Sequence, residues 1–265
     1  MNVWRMFGDE EKRWLVVGIC LNKVLTPVLR KVIEEEIPQL YDGLIQPPTN
    51  IHSQTFASHQ ECLSPSTLRL NYININNNKT QGSSKHLYDY SVKDDVSLAK
   101  LFVKGASFTA FDESLDLSAV LSILCGSPNF VYYGIHLIAS DVRAKVRNEW
   151  GHCLFTVWTE AYYDKCFQLM EDLIKALKLP VLSEAKVLED LKEWKKRGKI
   201  IKLLFKNSTA FHTGRLYHKV QALTFNVTIF ERNGTTFICL LLKNNAPLTY
   251  LYVLTVSPFM LFSVK

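Results

Sequence analysis

The sequence predicts a mainly α protein, in which a helical bundle over residues 1–198 precedes a β-prone tail. Two observations lead to this class. Apolar residues recur every three to four positions in several segments before residue 198, whereas later apolar runs flank an Asn-Gly pair. The 265 residues are 48% hydrophobic and 21% charged, which is typical of a folded chain and excludes collagen-like, coiled-coil and wholly disordered proteins.

The first apolar stripe indicates a helix that is interrupted at Thr26-Pro27. Pro27 lacks the amide proton of a helical hydrogen bond, so the chain either kinks there or restarts with Thr26 as N-cap. Because the stripe keeps its phase, we favour two nearly collinear helices at 10–24 and 26–37, and we expect Pro38 to help end the second. Its members are Trp14, Val17, Leu21, Val24, Leu25, Val28 and Val32.

Residues 45–90 differ in composition and are predicted to form a long loop insertion. Pro47-Pro48, Pro65 and a polar, asparagine-rich run within 71–84 leave few clustered apolar residues, which is typical of a surface excursion. Ordered structure is expected to resume near Ser91, where acidic residues precede a new apolar stripe.

Four further helices are indicated before residue 198, each by an apolar stripe and by residues that start or stop helices. The first is expected around Leu117–Leu124 and stops at Gly126-Ser127-Pro128, and the second begins after Ser140 and ends or loosens at Gly151. Thr159 opens the third, which closes before Pro180. Ser183 caps the last, and Gly198 lies beyond its end.

Residues 199–265 are predicted to be a β-prone, hydrophobic and basic tail that is either outside the domain or poorly folded. Residues 225–230 and 236–242 flank Asn233-Gly234, which favours a hairpin. Residues 246–264 carry no charge, close to the length of about 20 residues that crosses a bilayer. Prolines at 247 and 258 favour buried strands, or a segment that does not fold with the body, over a membrane anchor.

The formal charge of +6 is unevenly distributed. Residues 1–198 sum to −1 and residues 199–265 to +7, so the body of the chain has no net basic footprint of the kind that nucleic-acid-binding domains show. The six cysteines are widely spaced, and the first residues lack the apolar run of a secretory signal. We therefore expect a reducing, cytoplasmic location.

A candidate for chemistry lies between two expected helices, where Arg147 and Asn148 precede His152. Arginine is a permanent cation whose planar donors suit phosphate oxygens, and histidine exchanges a proton near neutral pH. Together they supply what RNA cleavage without a metal requires, namely a group that removes the ribose 2′-hydroxyl proton and a cation that stabilises the charge developing on phosphorus.

These three residues resemble the signature of the HEPN domains, which is arginine, a polar residue, and then histidine after a total gap of four to six. The chain also looks like the invertebrate HEPN domains that are similar to the one in the DAZ-interacting zinc-finger ubiquitin ligase. The similarity covers roughly residues 10–178 and is poor at 45–90 and 129–139. It is supported by the stretches at 25–35, 114–126 and 140–152 and by the helix expected at 163–177.

The resemblance implies an antiparallel helical bundle that commonly dimerises, with no metal and no cofactor. Arg147 would bind the phosphate, Asn148 would orient it, and His152 would act as general base or acid; a two-fold dimer can line one cleft with both copies of the motif. Many HEPN domains bind or assemble without cleaving. We therefore expect a module for homodimerisation and RNA or protein binding in an immune or ubiquitin-related assembly, with a metal-independent endoribonuclease as the alternative.

Helix geometry leaves other uses of the motif open. Positions five apart differ by about 140° on a regular helix, so Arg147 and His152 converge only if Gly151 breaks the helix. Otherwise Arg147 pairs with a carboxylate such as Asp141, and His152 caps the helix C-terminus. Trp150 is expected to fill the core or a dimer interface.

Other basic residues are candidates for contact with RNA phosphates, although a charge run at a helix end is also typical of a solvated surface. The candidates are Arg143, Lys145, Lys192, Lys195, Lys196 and Arg197. No metal site is expected, because His152, Cys153 and Cys166 lack a fourth ligand. The sequence has no Walker A motif and therefore predicts no nucleotide-hydrolysing site.

Overall fold

The computed structural model describes residues 8–63, 69–206, 224–232, 235–243 and 250–256, with side chains described for residues 8–60, 62–63 and 69–196. The chain is mainly helical and divides into two compact units. One unit is Phe7–Lys202, and the other contains the strands. The helices are α1 Asp9–Ile19, α2 Thr26–Leu44, α3 Gln60–Leu63, α4 Asp95–Leu101, α5 Leu117–Gly126, α6 Pro128–Tyr132, α7 Ile135–Val142, α8 Glu149–Gly151, α9 Glu160–Ala176 and α10 Val181–Lys206.

Six of the described helices enclose the core of the helical unit. Helix α7 packs against both α5 and α9, α1 packs against α9, and α2 packs against α4 and α5. The stripes place fully buried leucines, isoleucines and aromatics between these helices, among them Leu21, Leu29, Leu121, Phe167 and Leu173. Burial of such side chains is worth about 1.5–3 kcal/mol each, which makes this shared core the main stabilising feature of the unit.

A π-helical turn at Cys20–Leu25 joins α1 to α2 without a break. The amide of Thr26 donates to the carbonyl of Leu21, five residues earlier, and the Thr26 hydroxyl donates to the same oxygen at 2.6 Å. Thr26 has helical dihedral angles, so the expectation that it caps a new helix is wrong. The wider turn continues the helix past Pro27, which has no amide proton to donate.

The expected stop at Pro38 is also wrong, because α2 continues through this residue to Leu44. Residues beyond the proline pack on the core: Leu40 and Leu44 lie against it, and the Tyr41 hydroxyl donates to the carbonyl of Val92 at 3.1 Å. These contacts offset the one helical hydrogen bond that a proline removes.

The insertion at 45–90 is more ordered than a surface excursion. It contributes buried apolar side chains to the core, and three asparagines, Asn74, Asn76 and Asn78, fasten it to neighbouring loops. Their side-chain amides donate to the backbone carbonyls of Lys100, Val103, Asp89, Ser91 and Tyr72 at 2.6–3.1 Å. The composition that suggested a loop therefore supplies the hydrogen bonds that order it.

Two helices before the motif, α4 and α5, begin with side-chain caps. Asp94 accepts a hydrogen bond from the amide of Ser97, and Asp116 accepts one from the amide of Ala119. Helix α5 ends at Gly126, and Pro128 opens the short helix α6. These starts and stops agree with the signals in the sequence.

The helix that carries the motif begins earlier than expected. Helix α7 starts at Ile135, after Gly134 with φ 73°, and not after Ser140. A second π turn, at Arg143–Asn148, joins it to α8. Asp141 therefore lies within the helical run, where it pairs with Lys145 at 2.7 Å rather than facing the helix dipole at an N-terminus.

Helices α9 and α10 complete the unit. Thr159 caps α9 and accepts a hydrogen bond from the amide of Tyr162 at 3.3 Å. Helix α10 begins at Val181, directly after Pro180, so Ser183 lies in its first turn and is not the cap. It continues to Lys206 through Gly198, and the expected end at that glycine is wrong; a glycine inside a helix costs only about 1 kcal/mol.

The second unit contains an antiparallel sheet with the order β1-β2-β3. The strands are β1 Thr224–Arg232, β2 Thr235–Lys243 and β3 Tyr250–Val256. Arg232 is opposite Thr235, which leaves two residues for the connection, and Asn233-Gly234 itself lies outside the described residues. Of the uncharged segment 246–264, Tyr250–Val256 form β3 and the remainder is outside the described part.

No helix within the described residues has the length and apolar character that crossing a membrane requires.

The second π turn is fastened to α9 by Tyr162, whose hydroxyl donates to the carbonyl of Lys145. Burial, with the nearby Cys166 and Glu149, raises the pKa of Tyr162 from 10.0 to about 12. The folded state therefore keeps this phenol protonated where the unfolded chain would ionise it. Its contribution to stability is complete below about pH 10 and is lost as the pH rises through about 12.

We expect Tyr162→Phe to lower the free energy of unfolding by about 1 kcal/mol at pH 7, because the Lys145 carbonyl loses a donor. Between pH 10 and 12 the variant should lose less stability than the wild type. Urea denaturation at each pH measures both effects. The matched change is Tyr132→Phe, at a tyrosine that is 84% exposed. Identical behaviour of the two variants would contradict this role of Tyr162.

Candidate functional site

Arg147 and Asn148 lie in the π turn, and His152 follows the last residue of α8. The Arg147 Nη1 atom donates to the Asn148 side-chain oxygen at 3.2 Å, and both residues are half-buried. The pairing of Arg147 with Asp141 that the sequence left open does not form, because Asp141 is paired with Lys145. A neutral amide thus orients the guanidinium and leaves its charge available to an anion.

His152 is exposed, and its side chain makes no hydrogen bond or ion pair to any residue that the structure describes. Its backbone amide donates to the carbonyl of Asn148 at 3.0 Å, which closes an ordinary α-helical turn. Helix α8 ends at Gly151, as the sequence indicated, but His152 beyond it still has helical dihedral angles. The chain leaves the helix at Cys153, whose φ is 54°.

The regular turn separates the two ionic side chains of the motif. Residues five apart on a regular α-helix leave its axis about 140° apart, and among the described residues no contact joins the side chains of Arg147 and His152. The structure therefore brings Arg147 together with Asn148, and His152 with the Asn148 backbone, without placing the guanidinium and imidazole on one face.

Helical spacing divides the half-buried and exposed residues of this run between two sides. We call Arg143, Arg147 and Trp150 the arginine flank, because they follow one another at intervals of four and three. Lys145, Glu149 and His152, spaced by four and three, form the histidine flank. The second flank faces α9, since the Lys145 carbonyl accepts from Tyr162 and Glu149 acts on the pKa values of Tyr162 and Cys166.

The arginine flank ends on helix α1. The indole rings of Trp150 and Trp14 stack with centroids 5.7 Å apart, and Trp14 Nε1 donates to the Trp150 carbonyl at 2.8 Å. Gly18 gives the room for this contact, because a Cβ built on it would lie 2.7 Å from Trp150 Cε2. Trp150 is therefore packed between helices within the chain, as the sequence indicated for a core or interface residue.

The link between α8 and α9 adds two exposed apolar residues that the sequence analysis did not single out. Phe155 is 38% exposed and Leu154 is 53% exposed. The Phe155 ring lies edge-to-face with Trp14 at 5.4 Å, and Arg13 anchors the link by donating to the carbonyl of Trp158 at 2.9 Å. The only clue in the sequence is an apolar pair that fits no stripe, just before the Thr159 cap.

The other candidate basic residues lie in different surroundings. Arg143 is half-buried and near Cys125, whose pKa is raised by burial and lowered by this arginine. Lys195, on α10, pairs with Asp164 at 3.2 Å and lies 5.7 Å from the Phe167 ring centroid, so α9 already engages its charge. Lys192 and Lys196 are exposed on α10, and the side chain of Arg197 is outside the described residues.

The cysteines near the motif are thiols at neutral pH. Burial raises the pKa of Cys166 to about 12, and its Sγ lies 3.9 Å from the Lys145 carbonyl oxygen. Burial also raises the pKa of Cys153. Across the part of the chain that is described, no group of three or more histidine, cysteine or acidic side chains is arranged to hold a metal ion.

Comparison of the chain with protein-family models, with curated proteins and with solved structures finds no match.

The packing of Trp150 on Gly18 leads to a test. We expect Gly18→Ala to lower the free energy of unfolding by about 1–3 kcal/mol, because the added methyl group overlaps the indole and forces the two helices apart. Gly43→Ala, in α2, is the matched change, since a Cβ there meets nothing within 4 Å. That variant should be neutral or more stable by up to about 1 kcal/mol. Equal stability of both variants, measured by urea denaturation, would show that the helices are not in close contact.

Proposed function

We propose that the helical unit is a HEPN-like module that homodimerises and binds RNA through the arginine flank. In the other form of this function, the same surface binds a protein partner. That partner would belong to the immune or ubiquitin-related assembly that the resemblance implies. Cleavage of the bound RNA is the alternative function.

The observation that carries the proposal is the environment of Arg147. Its guanidinium is partly exposed and is held by the Asn148 amide, and among the described residues it forms no ion pair. Buried or surface arginines with a structural role are commonly paired with a carboxylate, whereas a guanidinium held by a neutral group keeps its affinity for phosphate. Arg143, four residues earlier on the same flank, supplies a second cation.

Dimerisation is supported by an exposed apolar residue beside the motif. Leu154, two residues after His152, is 53% exposed and leaves apolar surface open at the end of the helical run. A two-fold axis near this end would place the arginine of one copy beside the histidine of the other, which one chain alone does not do. The composite cleft that the resemblance implies thus requires the dimer.

We place binding ahead of cleavage because, among the described residues, no contact brings the imidazole of His152 to the guanidinium of Arg147 within one chain. The exposed, unpaired His152 is the observation that favours cleavage, since a general base must be free to reach the ribose hydroxyl. The alternative is therefore a metal-independent endoribonuclease whose site forms only between two copies.

Fluorescence polarisation with a labelled single-stranded RNA in EDTA tests the proposal on the full chain. We expect Arg147→Ala to weaken binding about 10- to 100-fold, because a charge-assisted phosphate contact is lost. The slope of log affinity against log salt should also fall by about 0.7. Lys31→Ala, at an exposed lysine on α2, should change neither quantity.

Equal affinities of the Arg147→Ala and Lys31→Ala variants would contradict the proposal. Light scattering should give twice the chain mass of 30.4 kDa, and a monomer would contradict the dimer. Cleavage of the RNA that disappears in His152→Ala, with the dimer intact, would establish the alternative function. Cleavage that persists in this variant would remove His152 from the mechanism.

A further inference from the structure

We propose that Phe155 is a base-stacking residue of the RNA surface, so that the arginine flank binds phosphates while this ring receives an unpaired nucleobase. The inference rests on the proposed RNA binding and assigns a second residue and a second type of contact to it.

The first support is the state of the ring itself. Phe155 is 38% exposed, yet Trp14 holds its ring at 5.4 Å in an edge-to-face arrangement with an interplanar angle of 87°. It lies in a short 3-10 turn, Phe155–Val157. Arg13 anchors Trp158, the residue after this turn, by donating to its carbonyl. An exposed ring whose orientation is already fixed loses little conformational entropy when a base stacks on it.

The second support is its continuity with the cations. Arg147 and Trp150 are three residues apart on one side of the helix, Trp150 stacks on Trp14, and Trp14 contacts Phe155. The series leads from a guanidinium to an exposed aromatic ring through two packed indoles. Proteins that bind single-stranded nucleic acid combine these two features, a cationic track for the backbone and rings for the bases.

The third support is charge complementarity. Glu149, the acidic residue closest in the chain to Arg147, is on the histidine flank and acts on Tyr162 and Cys166 of α9. The arginine flank therefore presents Arg143 and Arg147 as its ionic groups, which suits a polyanion. A purely apolar partner would leave these two cations without a counterion.

A second pair of exposed aromatic residues, Tyr132 and Tyr133, is less suited to stack a base beside the arginine flank. Tyr132 and Tyr133 precede α7, at the end of the helical run opposite His152. The run from Ile135 to Gly151 is about 25 Å long at 1.5 Å per residue, so these rings are remote from Phe155 and from the end of the flank. The geometry thus points to Phe155.

The experiment compares three variants of the full chain with the wild type. Phe155→Leu keeps an apolar side chain and removes the ring, Phe155→Tyr keeps the ring, and Leu182→Ala changes an exposed apolar residue on α10 that has no part in the proposed surface. Each is titrated by fluorescence polarisation with an RNA of about ten nucleotides and with an oligomer of equal length whose sugars lack bases. Thermal melting checks that each variant is folded.

We expect Phe155→Leu to bind the RNA about 5- to 100-fold more weakly, while Phe155→Tyr and Leu182→Ala stay within about two-fold of the wild type. The loss should vanish on the oligomer without bases, because no base remains to stack. If Phe155→Leu fails to fold, weakened RNA binding by a folded Phe155→Tyr would still overturn the proposal.

Three results would overturn it: an unchanged affinity of a folded Phe155→Leu, a loss of equal size with Leu182→Ala, or a loss that persists on the oligomer without bases. The last would instead indicate an apolar contact with a protein partner or a second copy. A wild-type chain that binds neither oligomer would overturn the proposed function as well. Salt-dependent binding that needs Arg147 and not Phe155 would overturn the stacking alone.

Discussion

The packing of Trp150 against Gly18 and Trp14 is the contact on which the geometry of the candidate site depends. It joins the first helix of the chain to the end of the helical run that carries Arg147, across more than a hundred residues of sequence. The same Trp14 ring also contacts Phe155, so one side chain orients both the helix end and the link that follows it. Stacked and edge-to-face aromatic contacts of this kind add about 0.5–1.5 kcal/mol each beyond the area they bury.

The two π turns have a related effect on the helices they join. Each allows a long helical run to continue where a regular α-helix would have broken or shifted, the first beside Pro27 and the second across Arg143–Asn148. In the second, the Lys145 carbonyl is met by the hydroxyl of Tyr162 and the thiol of Cys166, which fix the turn to α9. Expanded turns are rare in proteins, but those that occur often lie at functional sites. Here one of them carries Arg147 and Asn148, the two adjacent residues of the motif.

Much of the helical fold was predictable, because it depends on local pattern. The apolar stripes give the buried faces, and the starts at Asp116 and Thr159 follow from side chains that accept backbone amides. The sequence analysis missed what depends on distant contacts. Pro38 is tolerated because Tyr41 and its neighbours pack against residues some fifty positions later, and α10 passes Gly198 although glycine is common at helix ends.

The site was predictable in its residues and not in its geometry. Arg147, Asn148 and His152 are found from spacing, but the helical conformation of His152 beyond α8 and the contact of Phe155 with Trp14 appear only in the folded chain. A double-mutant cycle with Trp14→Leu and Trp150→Leu tests most directly whether this contact holds the site together. We predict that the double variant loses about 0.5–1.5 kcal/mol less stability in urea than the sum of the single losses, because the stacking is removed once. Losses that add within about 0.3 kcal/mol would show that the two indoles do not interact and would contradict this account.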